Sequence, residues 1–327
     1  MENIKVGIVG YGNLGKGVES AVEQNNDMEL VAVFTRRPAD QLEIVNKDAK
    51  VAHVSEAKDY IDKIDVLLLC GGSATDLPVQ GPKFAEMFNT VDSFDTHAKI
   101  PEYFEMIDKV AKENGTTSAI AIGWDPGLFS MNRMITQAIL PEGNTYTFWG
   151  RGVSQGHSDA IRRIDGVKNA VQYTIPIEDA INRVRSGQNP ELSTKEKHLR
   201  DCYVVAEEGA DKDKIAEEIK TMPNYFSDYV TEVKFISEEE LKAEHSAMPH
   251  GGFVIRSGKT GEDNNQIVEF SLNLDSNPEF TSSVLLAYAR AVYHLNQKGQ
   301  IGAKTIFDIP LSYLSPKSSA QLRKELL

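Results

Sequence analysis

Gly10-Tyr11-Gly12-Asn13-Leu14-Gly15 carries three glycines at the spacing that holds a pyrophosphate. The first permits a tight turn, the second lets backbone approach phosphate oxygens, and the third lets a helix close on the preceding strand. The helix N-terminus then faces the negative charge. A dinucleotide with an unmodified ribose calls for Asp or Glu about twenty residues further on. The sequence holds Thr35-Arg36-Arg37 there. A carboxylate would repel a 2′-phosphate, whereas guanidiniums form charge-assisted, bidentate bonds to it. Together the two stretches point to NADP. A merely solvated basic turn is the alternative, and the glycine loop upstream weighs against it.

Cys70-Gly71-Gly72-Ser73-Ala74-Thr75-Asp76 follows a third apolar run and suits the path of a bound dinucleotide, although a plain strand-to-helix loop would read the same way. Ligands of such sheets collect beyond the carboxyl ends of the strands. Two acids fall there: Asp95 in SFDTH, and Asp125, next to Trp124, in IGWDPGLFS. Paired acids could move protons at a reacting centre. Asp is also a common helix N-cap, and Asp125-Pro126-Gly127 would serve as one. The sequence places no Cys nucleophile beside a His and offers no metal-ligand spacing. The Glu-Lys-Pro of many sugar oxidoreductases is missing, with only a partial echo in Lys99-Ile100-Pro101.

Placing these groups requires alternating strands and helices. The spans 4–10, 29–34, 65–70, 90–95 and 117–123 read as strands, and 14–25, 78–88 and 101–113 as helices. Near-continuous apolar strands separated by helices indicate a parallel sheet covered on both faces. The fold class is therefore α/β, a doubly wound parallel (Rossmann) sheet over 1–124. After Trp124 a helix over 127–139 leads into half-buried alternation at 146–152, 170–177, 199–208, 231–237, 253–260 and 266–275. That pattern predicts a second α+β domain over 125–299, an open mixed sheet with helices on one face. A long helix, 278–297, follows, and the tail from about 300 to 327 packs back on the first domain in this reading.

The chain has 327 residues, enough for two cores, and a formal charge of −13. Acids spread along it argue against nucleic-acid or anionic-membrane partners, which need basic surface. Cys70 and Cys202 are too few for a disulfide framework. No apolar run reaches the ~18 residues of a membrane span, and Met1-Glu2-Asn3 leads straight into a strand. A cytoplasmic protein without a signal peptide is expected.

The stretches GYGNLGKGVE, FTRR, CGGSATD, SFDTH, GWDPGLFS, WGRGVSQGHSDAIRRI, PHGGFV, FDIP and LSP, in this order over the whole chain, resemble the meso-diaminopimelate dehydrogenase family. The resemblance implies NADP-dependent, reversible oxidative deamination of meso-2,6-diaminopimelate at its D-centre by a homodimer with a Rossmann domain and a substrate-binding, dimerising portion. It implies that Asp95 and Asp125 hold the D-centre amine, that Trp124 walls the site, and that Trp149, Gln155 and Gly156 contact substrate. Thr174, Arg200 and His250 would grip the distal L-centre, with Asn277 beside them. On their own terms, Thr174 could pack on a strand and Arg200 could be solvated. His250 could cap a turn, and Asn277 before Pro278 could cap a helix. Two rival functions remain open at this stage. One is another NADP oxidoreductase of amino-acid metabolism, such as a homoserine dehydrogenase or dihydrodipicolinate reductase. The other is a catalytically silent NADP sensor, which would lose polar groups at the nicotinamide end; Asp95 and Asp125 speak against it.

Overall fold

A computed structural model describes residues 3–327, so Met1 and Glu2 of the expected leaderless start lie outside the described residues. The strands, in chain order, are β1 (Ile4–Val9), β2 (Met28–Thr35), β3 (Lys50–His53), β4 (Val66–Leu69), β5 (Asn89–Asp92) and β6 (Thr117–Ala119). Then come β7 (Gly143–Trp149), β8 (Gly152–Val153), β9 (Val167–Pro176), β10 (His198–Ala206) and β11 (Val230–Phe235). The set closes with β12 (His250–Thr260), β13 (Asn264–Leu274) and β14 (Gly302–Lys304). The chain forms two compact units, one reaching Met131 and including Pro278–Leu327, the other Asn132–Asn277.

The first unit is built on one sheet of order β14-β6-β5-β4-β1-β2-β3, parallel at every pair. The order reverses at β1, so the strands on its two sides run outward in opposite directions and leave a crevice at their carboxyl ends. β4 is buried at all its positions, which is why it reads as a continuous apolar run. Successive residues serve opposite faces: Ile8 and Leu68 join one core, Val9 and Leu69 the other. This is the doubly wound α/β sheet expected.

The helix Asn277–Gln297 differs from expectation. Its Leu285, Tyr288, Val292 and Leu295 lie in the same core as Val6, Val33 and Leu68. The long helix therefore belongs to the nucleotide-type unit, and the boundaries fall after Met131 and Asn277, where 124 and 299 were expected. The parallel sheet needs helices to cover that face, and this one does so beside the helix Asn13–Glu23, whose Val18, Ala21 and Val22 join the same core.

The second unit is α+β, but with two sheets where one open sheet was expected. One is mixed, β11-β10-β9-β8, with β10 and β11 parallel and the other pairs antiparallel; the second is antiparallel, β13-β12-β7. Each has its own core. Ile161, Ala170, Cys202, Val204, Ile219 and Phe226 fill the first, while Phe148, Ile181, Val184 and Ile255 fill the second. The expected strand 146–152 is split between them, because Gly150 and Arg151 lie between β7 and β8 and belong to neither.

Candidate active site

In the first unit the glycine loop has the geometry its spacing promised. Gly10 has φ 90°, and a Cβ on Gly15 would sit 2.2 Å from the Gly10 carbonyl oxygen, so the helix Asn13–Glu23 closes tightly on β1. A Cβ on Gly12 would meet nothing within 4 Å, which leaves the backbone open to an approaching phosphate. The Tyr11 hydroxyl donates to Glu19, a buried acid whose other oxygen accepts from the Asn46 amide at 2.7 Å.

Arg37 donates to the Tyr11 carbonyl at 2.8 Å, and its own amide bonds Thr35 Oγ1 at 3.1 Å. Arg36, 70% exposed, makes an ion pair of 2.9 Å with Asp76. The same carboxylate accepts from the Gly72 amide at 2.9 Å. The ends of β1, β2 and β4 are thus bound to one another through the residues the sequence singled out. These residues fit NADP: an open glycine cradle, a helix N-terminus and two exposed guanidiniums. Burial pushes the Cys70 thiol up to about 12.

Ser73 Oγ accepts from the Asp95 amide at 2.9 Å, joining the loop after β4 to the loop after β5. Asp95 is exposed. It is not a helix cap, since Thr96 holds that position for the turn His97–Lys99. Trp124 is buried edge-to-face on Phe129 at 5.2 Å. The expected helix 127–139 starts at Leu128, beyond Asp125, and the carbonyls of Gly123 and Trp124 take its first amides. The strand expected over 117–123 stops at Ala119, and the one expected over 90–95 stops at Asp92. Both acids therefore sit on loops that continue from strand ends. Sequence reading passed over Asp92. It is 1% exposed, and its carboxyl is pushed up to about 6 by burial, against hydrogen bonds that lower it.

In the second unit Arg200 faces Thr174 across the β9–β10 register and donates to its hydroxyl. The guanidinium lies 3.8 Å from the Tyr229 ring centroid. It is 6% exposed, and among the described residues no carboxylate pairs with it. Its Nε lacks a hydrogen-bond partner, as do both side-chain atoms of nearby Gln172. Burial pulls the guanidinium below its usual range. Two histidines share this neighbourhood, His198 buried and His157 half-buried. Burial and then Arg200 lower His157 to about 4 and His198 to about 3, so both are neutral at pH 7. The result is a buried positive charge with no counter-ion, an arrangement that favours an incoming anion.

The neighbouring candidates gather at the same end of the unit. The Trp149 amide donates to His198 Nε2 at 2.8 Å, and the two rings stack at 5.3 Å. Gly152 pairs with Thr174 and lies against the His250 ring, where a Cβ would be 2.4 Å away. Gln155 Nε2 reaches Met248 Sδ at 3.1 Å, and the Asn277 amide donates to the Met248 carbonyl at 3.0 Å. Gly156 lies in the first turn of the helix Gln155–Arg162, with no neighbour within 4 Å of a Cβ. His198, His157 and Tyr229 were missed. The one signal available was His198 two residues before Arg200 on a strand, which puts both side chains on one face. Among the described residues, no cluster could hold a metal ion and no helix is long and apolar enough to cross a membrane.

A family model for the diaminopimelic acid dehydrogenase C-terminal domain matches residues 123–276. Over 327 residues, all of both chains, the sequence is 68% identical to the meso-diaminopimelate D-dehydrogenase of Ureibacillus thermosphaericus. The solved structure of Corynebacterium glutamicum DAP dehydrogenase in complex with DAP is 46% identical, covers 100% of each chain and superposes with a TM-score of 0.94. An engineered D-amino acid dehydrogenase bound to NADP+ is 44% identical, with a TM-score of 0.88 over 99% of this chain and 100% of its own.

Proposed function

The chain belongs to the meso-diaminopimelate dehydrogenase family, and from that premise we propose which of its residues hold the substrate and which act on it. The reaction is the NADP-dependent, reversible oxidative deamination of meso-2,6-diaminopimelate at its D-centre. It yields L-2-amino-6-oxopimelate and ammonia, and in reverse supplies lysine and cell-wall precursors. Bound NADP+ supplies the hydride acceptor. Gly10 to Gly15, the segment Cys70 to Asp76, and Thr35, Arg36 and Arg37 would hold it, the arginines at the 2′-phosphate.

Hydride leaves the α-carbon only if the nitrogen lone pair can form the C=N bond, so the substrate ammonium must first lose a proton. Asp95 and Asp125 are the groups we assign to the D-centre amine, directly or through water. Water then adds to the C=N carbon, and the C–N bond breaks to release ammonia. Trp124 walls this end, while Trp149, Gln155 and Gly156 line the substrate.

The distal L-centre carboxylate is assigned to Arg200, with Thr174, His250 and Asn277 around it. The single observation that carries this assignment is a buried guanidinium without a carboxylate partner among the described residues. A substrate carboxylate supplies the missing anion, and the neutral His157 and His198 add no competing charge. A homodimer and a cytoplasmic location complete the proposal. Supporting them are Ile267 and Val268, apolar and exposed on the edge strand β13, and two unpaired thiols. NADPH production with the meso, LL and DD isomers offered separately tests the function. The meso isomer should be turned over and the LL isomer left nearly untouched; an inert meso isomer would overturn the proposal.

A further inference from the structure

Asp92, at the end of β5, has no part in the roles assigned so far, and its two oxygens face different partners. Oδ1 accepts from the backbone amides of Phe94 at 2.9 Å and Ala121 at 3.2 Å. Oδ2 accepts from the Tyr103 hydroxyl at 2.8 Å. The Asp92 carbonyl takes a further amide, that of Ile122, at 2.9 Å. Phe94 immediately precedes Asp95. Ala121 opens the segment that runs through Trp124 to Asp125, and its φ of 55° is left-handed backbone in a residue that carries a Cβ. Such a conformation persists only where surrounding bonds over-determine it.

A carboxyl group buried among apolar residues is costly, and among the described residues no cation pairs with this one. What an apolar side chain could not supply is one acceptor shared by amides from two separate loops.

We propose that Asp92 is a positioning residue for the reaction, its Oδ1 fixing the backbone segments that carry Asp95 and Asp125 relative to each other. The inference rests on the assignment of those two acids to the D-centre amine. The division between the oxygens makes it testable, because Oδ1 serves the loops while Oδ2 serves the core through Tyr103, which also stacks on Phe94 at 4.2 Å.

Asp92→Ala removes both functions, and a misplacement of about 1 Å at a reacting centre costs up to about a hundredfold. Its kcat for meso-diaminopimelate should fall roughly tenfold to a hundredfold. NADPH affinity, read by fluorescence, should stay within about twofold, since the phosphate contacts are untouched. Asp92→Asn keeps an acceptor at Oδ1 and should rescue kcat to within about threefold of the parent. Tyr103→Phe keeps the ring and loses the Oδ2 bond together with the longer one to the Leu77 carbonyl at 3.4 Å, neither of which touches the two loops, so its Tm should fall while kcat holds. Asp92→Ala with unaltered kcat, or a Tyr103→Phe that loses as much kcat as Asp92→Ala, would overturn the proposal. Asp95→Asn and Asp125→Asn are measured alongside. Full activity in both would overturn the underlying site assignment, whereas impaired acids beside an unimpaired Asp92→Ala would overturn only this inference. Should Asp92→Ala not fold, hydrogen exchange on the parent protein decides. The Phe94 and Ala121 amides should exchange at least about a hundredfold more slowly than unprotected loop amides, and exchange at loop rates would overturn the proposal.

Discussion

Arg200→Met separates holding the substrate from transforming it, and it makes two predictions of opposite sign. Met is unbranched and of comparable length, so the cavity left on β10 is small. Without the guanidinium, the distal carboxylate of meso-diaminopimelate enters a buried site unpaired. Truncating one partner of a buried, hydrogen-bonded charge pair costs about 2–5 kcal/mol. That corresponds to a KM raised roughly thirtyfold at the low end and above a thousandfold at the high end. D-amino acids with uncharged tails have nothing to pair at that end and should gain relative to meso-diaminopimelate. The folded protein should respond the other way. Arg200 is a 6% exposed cation with no carboxylate partner among the described residues, so its removal should leave Tm unchanged or raise it. The assays are initial rates of NADPH formation over a panel of D-amino acids, with thermal unfolding of the same preparations. A variant that slows every substrate alike with an unchanged KM would place Arg200 at the reacting end. A large fall in Tm would show that the guanidinium is a structural tie and not a waiting anion site.

Replacing both Arg36 and Arg37 with neutral residues should raise the KM for NADP far more than that for NAD. Each lost charge-assisted bond is worth about 1.5–3 kcal/mol, tenfold or more, and an unchanged NADP/NAD preference would sink the 2′-phosphate assignment. Asp125→Asn should lower kcat for every substrate without altering preference among tails; a switch in preference would move Asp125 to the distal end. Acid should weaken the fold through His157, whose folded value is lowered from 6.5 to about 4. Between those values the unfolded chain binds more protons, so stability falls as pH drops through the window and is complete above it. Asp92, raised from 3.8 to about 6, contributes with the opposite sign, gaining stability as pH falls through its own window. His157→Phe should therefore flatten the acid loss seen in denaturant titrations at pH 4 and 6.5, and an unaltered slope would show that His157 does not titrate as described.

How far the fold was legible depended on where information resides in the chain. β1, β2 and β4 could be read because both their faces are buried, which forces near-continuous apolar runs. The two strands that were missed, β3 and β14, lie at the two ends of the sheet order. They are short, with patterns such as Lys50-Val51-Ala52-His53, and only pairing with a neighbour defines them as strands. In the second unit alternation revealed the strands but not their partners, because period-two patterning says which side is buried and nothing about which strand lies alongside. That is why one sheet was expected where two are found. The helix Asn277–Gln297 showed the same limit: its periodicity announced a helix, but not that Leu285 and Tyr288 pack with Val6.

At the site, the glycine loop and the arginine pair were legible because their spacing is dictated by a phosphate. Arg200, Thr174 and His250 came only through family resemblance, and the register of β9 on β10 supplies what spacing could not. Asp92 was invisible for a simpler reason. Asp95 stands out by facing outward from a loop, whereas a buried acid is recognised only by its burial and its partners.

The most direct test of the account places the deuterium label. Meso-diaminopimelate deuterated only at its D-configured α-carbon should pass the label to the cofactor, giving deuterated NADPH with a slowed rate. The isomer labelled only at the L-configured α-carbon should yield unlabelled NADPH and keep its deuterium in the 2-amino-6-oxopimelate product. Deuterated NADPH from the L-labelled substrate would contradict the account, because the end assigned to Arg200 would then be the end that loses hydride.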